Sequence, residues 1–406
     1  MRLTPIKLTM HKRFYIIFLL ICFAIPTFCF AQAKPATHHK NHKTHKVKSA
    51  SKTKTQVHSP CKQCLKDLGI DISGYVDGSY NYLSGNSFFI SGISDRIFDT
   101  TLNGITLHQA AITVAKQPAK GFGYVLNVIT GNDVKKIVAY NSSPNDRVDV
   151  TQALLQYAIG SLTIAAGKYV TSASAEFINP TEDTNFSRSI LFGYATPFTH
   201  TGIRAAYEVS KKISLDVEAN NGWDAMTNNK AGHHTIGFGT TLKPTSWFKL
   251  SAIDYNGEER VDGEVNTGPI GSRNLIDLVA TLNATSKLTF VMNYDYATQN
   301  QVTFPDGNVG IAVWEGVAGY VNYQFSKKWR ASLRGEYFYD RDGYRTGVVQ
   351  RWKEATATLS YLPAKCLEFR LETRKDWSNV NAFVDRNGIT ASTNQGSFAI
   401  EGIFKF

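Results

Sequence analysis

No run of 18 apolar residues occurs after residue 30, and that absence excludes a bundle of membrane-spanning helices. Acidic residues are missing from the first 66 positions, which hold 13 Lys/Arg, so the remainder carries 31 basic against 33 acidic side chains. The net charge of +11 therefore belongs to a leader and a tail, and nucleic-acid binding by the folded part is not implied. Histidine is sparse beyond residue 60, with only His108, His200, His233 and His234. No Gly-x-Ser-x-Gly motif occurs and no acidic cluster accompanies a His at matching strand depth, which argues against an enzyme; no cofactor is implied. The acidic stretch Asp254–Asn266 lacks the spacing of a calcium-binding loop and reads as a solvated outer loop. Proline (12) and methionine (4) are also scarce.

What is present is aromatic and alternating. The chain carries 24 Phe, 19 Tyr and 31 Gly among 406 residues. From Trp329, one face holds Ala331, Leu333, Gly335, Tyr337 and Tyr339, and the other Arg330, Ser332, Arg334, Glu336 and Asp340. Side chains alternate across a strand, so the two sets face different environments. Leu367, Phe369 and Leu371 alternate in the same way with Glu368, Arg370, Glu372 and Arg374, as do Ile213, Leu215 and Val217 with Asp216 and Glu218. Aromatic residues gather near strand ends on the apolar face, as at a membrane interface. The strand Trp247–Tyr255 alternates poorly and has no clean assignment.

His11, Lys12 and Arg13 precede an apolar stretch of 12 residues, Phe14 to Ile25, too short to span a bilayer. This predicts an export signal over 1–31, cleaved after Ala31 or Ala33, with a retained anchor as the alternative. Residues 32–66 form a Lys/His-rich tail expected to be disordered and periplasmic, and 67–406 the folded part. Within the tail, His38, His39, His42, His45, Cys61 and Cys64 are the candidate metal ligands. An oxidised Cys61–Cys64 pair, or a basic tail touching anionic polymers or lipid, are the competing readings.

An exported chain without spanning helices must close its strands, because backbone polar groups in lipid have to pair internally. Short turns near 117–120, 159–161, 210–212, 243–245, 284–286, 326–328 and 363–365 predict a closed antiparallel transmembrane β-barrel of 16 strands, with 14 and 18 open. Charged mid-strand side chains then face inward, since a lipid-facing Arg or Lys near the midplane costs about 2–4 kcal/mol. Arg204, Glu208, Asp216, Glu218, Arg330, Arg334, Glu336, Arg370, Glu372 and Arg374 are the expected lining of a wide aqueous lumen. The long stretch from Thr171 to Thr201 is a candidate constriction, with Glu176, Glu182, Asp183 and Arg188 as its polar rim. A surface flap, or a strand starting near Ile190, would also account for it. The final strand places Phe398, Ile400, Gly402, Phe404 and Phe406 on one face, and Phe406 is the expected barrel-assembly signal.

The segments GYVDGSYNYL (Gly74–Leu83) and NFSRSILFGYATPFTHTGIRAAYE (Asn185–Glu208) resemble the OmpL-like outer-membrane β-barrel porins. The resemblance spans roughly residues 70–406 and implies a porin-like barrel, with no catalytic motif to carry over. The expectation is a pore for passive diffusion of small hydrophilic solutes, with selectivity set by lumen width and charged rings. A closed-lumen barrel that binds partners at its surface, or a metal-uptake channel with a collecting tail, are the alternatives. Expected partners are outer-membrane lipid and lipopolysaccharide, the barrel-assembly machinery and a homotrimer.

Overall fold

The computed structural model describes residues 64–65, 67–83, 96–137, 147–227, 232–261, 268–384 and 391–406. The export signal, most of the Lys/His tail and its ligand candidates His38, His39, His42, His45 and Cys61 lie outside the described residues. The strands are β1 (Asp71–Leu83), β2 (Ile105–Lys116), β3 (Gly121–Thr130), β4 (Val148–Ile159), β5 (Leu162–Val170) and β6 (Thr199–Ser210). They continue as β7 (Ile213–Asn220), β8 (Thr235–Leu242), β9 (Phe248–Arg260), β10 (Ile270–Asn283), β11 (Leu288–Thr303) and β12 (Val309–Ser326). After β13 (Trp329–Asp340), β14 (Gln350–Ala364) and β15 (Leu367–Ser378), a small outer hairpin of β16 (Phe383–Val384) and β17 (Ala391–Ser392) precedes β18 (Asn394–Lys405). All but that hairpin form one closed barrel of 16 strands, each antiparallel to its neighbours. All seven expected short turns fall between paired strands, and no described helix is long and apolar enough to cross a membrane.

Alternation holds where the sequence predicts it. On β15, Phe369, Leu371 and Thr373 are exposed on the outer wall, while Glu368, Arg370, Glu372, Arg374 and Asp376 are buried inside. The outer wall carries aromatics close to the short turns, among them the tilted pair Trp329–Tyr361 and the edge-to-face pair Phe122–Tyr157, with ring centroids 4.6 and 4.8 Å apart. Trp and Tyr side chains favour the boundary between hydrocarbon and headgroups because one end is apolar and the other wet. β9 departs from simple alternation for a physical reason: its inward positions include Ile253 and Tyr255, which join an apolar cluster inside the barrel. The strand also runs on to Arg260, so half of the stretch expected as the outer loop Asp254–Asn266 is strand.

The seam between β1 and β18 depends on the last residue. Gly74 and Phe406 exchange both backbone hydrogen bonds, at 3.0 and 3.2 Å, below the register pair Tyr75–Lys405. A Cβ at Gly74 would lie 2.5 Å from both the Ala111 carbonyl and the Phe406 ring, so only glycine lets the three strands meet there. Cys64 is an exposed free thiol, which excludes a Cys61–Cys64 pair, one of the competing readings of the tail, and Cys366 at the β14–β15 turn is disulfide-bonded. Gly74→Val should destabilise the barrel by about 1–3 kcal/mol through overpacking, and deleting Phe406 should lower the folded fraction on a heat-modifiability gel. Wild-type behaviour of both variants would contradict this account of the seam.

Candidate functional site

Between β5 and β6 the chain leaves the wall and fills the interior. The stretch 171–198 holds no strand, and its one regular turn is a π-helix, Leu191–Ala195. A strand starting near Ile190 is therefore excluded, and so is a surface flap: Ile190, Leu191, Phe192 and Ala195 are no more than 2% exposed. Irregular backbone at membrane depth is tolerated only inside protein or a wet cavity, and its peptide groups need partners.

The inward charges of the wall supply those partners. The amides of Phe186 and Ser187 donate to Glu372 at 2.7 and 2.9 Å, and those of Ile190 and Leu191 donate to Glu336 at 3.0 and 3.2 Å. Arg370 donates to the carbonyls of Pro180, Asp183 and Asn185, Arg334 to that of Ser187, and Arg374 to that of Arg188. At the loop's first turn, Ser174 and Ala175 donate to Asp277 on β10 and Asn293 on β11. The three buried arginines that hold the loop are also paired with carboxylates of the wall and loop. Arg334 bridges Glu176, Glu336 and Glu354, Arg370 bridges Glu368 and Glu401, and Arg374 bridges Glu354 and Asp376.

An apolar wedge completes the fit. Ile190, Leu191 and Ala195 pack among Trp314, Tyr320, Phe338 and Trp352 on the wall of β12–β14. Leu191 lies in the notch left by Gly316, where a Cβ would come within 2.6 Å of its Cδ2. On the opposite side, Ile178, Phe192 and Phe198 pack with Tyr75, Phe98 and Ile129. From the outer loops, Arg345 donates to the Tyr194 carbonyl at 2.6 Å and stands over the Trp314 ring.

The expected lining residues divide into two groups. Arg334, Glu336, Arg370, Glu372 and Arg374 point inward but are covered by the loop, a correction to the wide open lumen expected at this depth. Arg330 stands partly exposed against Glu368 at 2.5 Å. Arg204 and Asp216 pair at 2.7 Å and stay partly exposed, Glu218 is buried beside them, and Glu208 is exposed near the β6–β7 turn. The expected rim of the constriction is corrected as well. Glu176 accepts from Arg334 and the Ser189 amide, while Asp183 and Arg188 pair with each other at 3.1 Å inside the loop. Only Glu182 of the four is exposed.

Sequence reasoning missed Glu354, Asp376 and Glu401, which its own phase rule assigns to the inner wall, and Arg96, which bonds Asp99 and Asp376 and carries no sequence signal. Among the described residues no group of three or more His, Cys, Asp or Glu is arranged to hold a metal ion. Near the short-turn end a cavity of about 410 Å³ is lined by Ser73, Tyr75, Thr113, Asn179, Thr181 and Lys405.

A family profile described as "Putative beta-barrel porin-2, OmpL-like" matches residues 69–406. No curated protein matches the sequence. Among solved structures, the outer membrane channel DcaP of Acinetobacter baumannii is 14% identical with a TM-score of 0.56, covering 83% of this chain and 97% of that one. The anion-selective porin from Comamonas acidovorans is 10% identical with a TM-score of 0.58, covering 83% and 99%. OmpT of Vibrio cholerae in its trimer form is 11% identical with a TM-score of 0.54, covering 83% and 99%. At these identities the likeness is one of fold.

Replacing Glu336 and Glu372 together by Leu should free the loop and expose the bond after Arg188 to trypsin, which wild type should resist. Arg334→Ala should cost about 3–5 kcal/mol, because it leaves buried carboxylates without their cation. Equal trypsin resistance of the double variant and wild type would contradict the anchoring scheme.

Proposed function

Because the chain belongs to the OmpL-like beta-barrel porin-2 family, we propose that it passes small hydrophilic solutes and ions across the outer membrane by passive diffusion. The observation that carries the reading is a closed barrel with a charged inner wall and a long loop bonded across its interior. Arg204, Asp216 and Arg330 remain partly exposed and offer a polar path beside the loop. Channels select by width and by charged rings, and passage needs binding weak enough for release. Guanidinium and carboxylate groups alternate along the wall, so the width beside the loop, rather than one sign of charge, is the stronger filter. On this reading the chain is a channel and not an enzyme.

The proposal extends to the maturation and setting of the barrel. Residues 1–31 act as a cleaved export signal and the Lys/His tail stays on the periplasmic side. Phe406 serves the assembly machinery as well as the seam, and the outer wall meets lipid, lipopolysaccharide and two further copies of the chain.

One observation favours a second reading. The wedge of Ile190, Leu191 and Phe192 is nearly fully buried, as in a barrel whose lumen is shut and whose outer loops bind a partner. Single-channel recording of the full chain in a planar bilayer separates the two. Stable current steps, enlarged when Leu191 and Phe192 are replaced by Ser, support diffusion. A folded barrel that never conducts at any voltage overturns it in favour of the surface-binding reading.

A further inference from the structure

The β14–β15 turn carries a bond whose other end is not in the barrel strands. Lys365 and Cys366 form the two-residue turn between the paired Ala364 and Leu367, and Cys366 is disulfide-bonded. The chain has five cysteines, Cys22, Cys29, Cys61, Cys64 and Cys366, so none but Cys366 follows the start of β1. Cys64 is a free thiol. Cys22 and Cys29 belong to the export signal proposed above, which the mature chain sheds. The remaining partner is Cys61, three residues ahead of the free thiol.

The fold brings the two within reach. Strand order runs β1–β18–β15–β14, so the turn stands two strands away from the first strand. The Lys405 amide of β18 donates to the Cys366 carbonyl at 2.9 Å, and Lys405 pairs with Tyr75 of β1. Two strand spacings amount to about 10 Å. Ser73, Gly74, Lys365, Cys366 and Lys405 also share one cavity, that of about 410 Å³ at this end of the barrel. Ahead of β1 the chain coils instead of extending. The Leu68 amide donates to the Cys64 carbonyl at 3.0 Å, and the Ile70 amide to the Leu65 carbonyl at 2.9 Å. Gly69, with φ 66°, supplies the left-handed residue that ends such a turn. Cys64 is thereby kept close to the start of β1, and three more residues span up to about 10 Å. The compartment suits the bond as well, because the short turns of such barrels face the oxidising periplasm.

We propose that Cys61 and Cys366 form a disulfide that staples the root of the tail to the β14–β15 turn across β18. The staple braces the seam at which the barrel closes. Hydrogen bonds join β1 to β18 there, and the disulfide holds the leading end of β1 to the far side of β18. A seam that begins to open at that end therefore keeps its strands close. The bond also takes Cys61 out of the set of metal donors, because a metal ligand must be a thiolate and a disulfide sulfur is not one. The inference goes beyond the channel reading and rests on it only for the oxidising compartment.

Peptide mapping of the full chain purified from outer membranes tests the bond without a variant. Trypsin cuts after Lys54, Lys62, Lys66, Lys365 and Arg370, so Cys61, Cys64 and Cys366 fall in separate peptides, 55–62, 63–66 and 366–370. Alkylation without reductant, before unfolding and digestion, blocks the exposed Cys64 and prevents exchange. Mass spectrometry should find 55–62 joined to 366–370, separable by reduction, and 63–66 alkylated. Alkylated Cys366, a pair between 55–62 and 63–66, or two copies of 366–370 joined together overturns the proposal. Bracing is read as the midpoint of the heat-induced band shift on a gel. Cys61→Ser and Cys366→Ser should each lower it by several degrees, the double variant no further, and Cys64→Ser not at all. An unchanged midpoint in Cys366→Ser, or an equal loss in Cys64→Ser, overturns the brace. A chain that conducts without the bond sinks the staple and leaves the porin reading standing; a bonded chain that never conducts does the reverse.

Discussion

The peptide groups of an irregular segment buried at membrane depth must find hydrogen-bond partners, and the rest of this structure follows from how they do. A helix satisfies its own backbone and a strand pairs with its neighbours; the stretch 171–198 does neither over most of its length. Carboxylates and guanidinium groups on β13 and β15 take over that role, accepting from loop amides and donating to loop carbonyls. The dependence runs both ways. Arg334, Arg370 and Arg374 are buried beneath the loop, and an unpaired charge in that position costs several kcal/mol. Loop and wall charges are therefore each the condition for the other.

Charge pairing organises the wall beyond the loop. Arg96, Asp376, Arg374, Glu354 and Arg334 form a continuous chain of ion pairs spanning β13, β14, β15 and the segment after β1. Such a chain fixes the positions of several strands at once, and its alternating sign keeps the interior close to neutral. The apolar wedge then has a defined place to sit, between the aromatic wall of β12–β14 and the cluster around Tyr75 and Phe98. What stays partly open is the β6–β7 side, where Arg204 and Asp216 are not covered.

The barrel was legible because its signal is periodic: a two-residue alternation repeated through β13, β15 and β7, and short turns that mark strand ends. The inward loop was legible only as a length. Its identity as a wedge was written in the same alternation as a set of exceptions. Ile253, Tyr255, Trp314, Phe338 and Trp352 occupy phases that elsewhere carry polar groups, and an apolar side chain facing inward needs an apolar partner inside. Pairings such as Glu336 with the Ile190 amide, or Arg96 with Asp376, had no sequence signal. They join residues 146 and 280 positions apart and depend on a backbone path that no local pattern encodes.

The most direct test of the account joins loop and wall covalently. Asn185 Nδ2 lies 2.6 Å from Thr358 Oγ1 on β14. A chain carrying Asn185→Cys and Thr358→Cys should therefore form a disulfide on mild oxidation in the folded barrel, visible as altered mobility of protein cleaved between the two positions. Efficient crosslinking is the result the account predicts. Two cysteines that stay reduced in a folded barrel, with the one at 185 open to a bulky thiol reagent from the aqueous phase, would contradict an inward, wall-bonded loop.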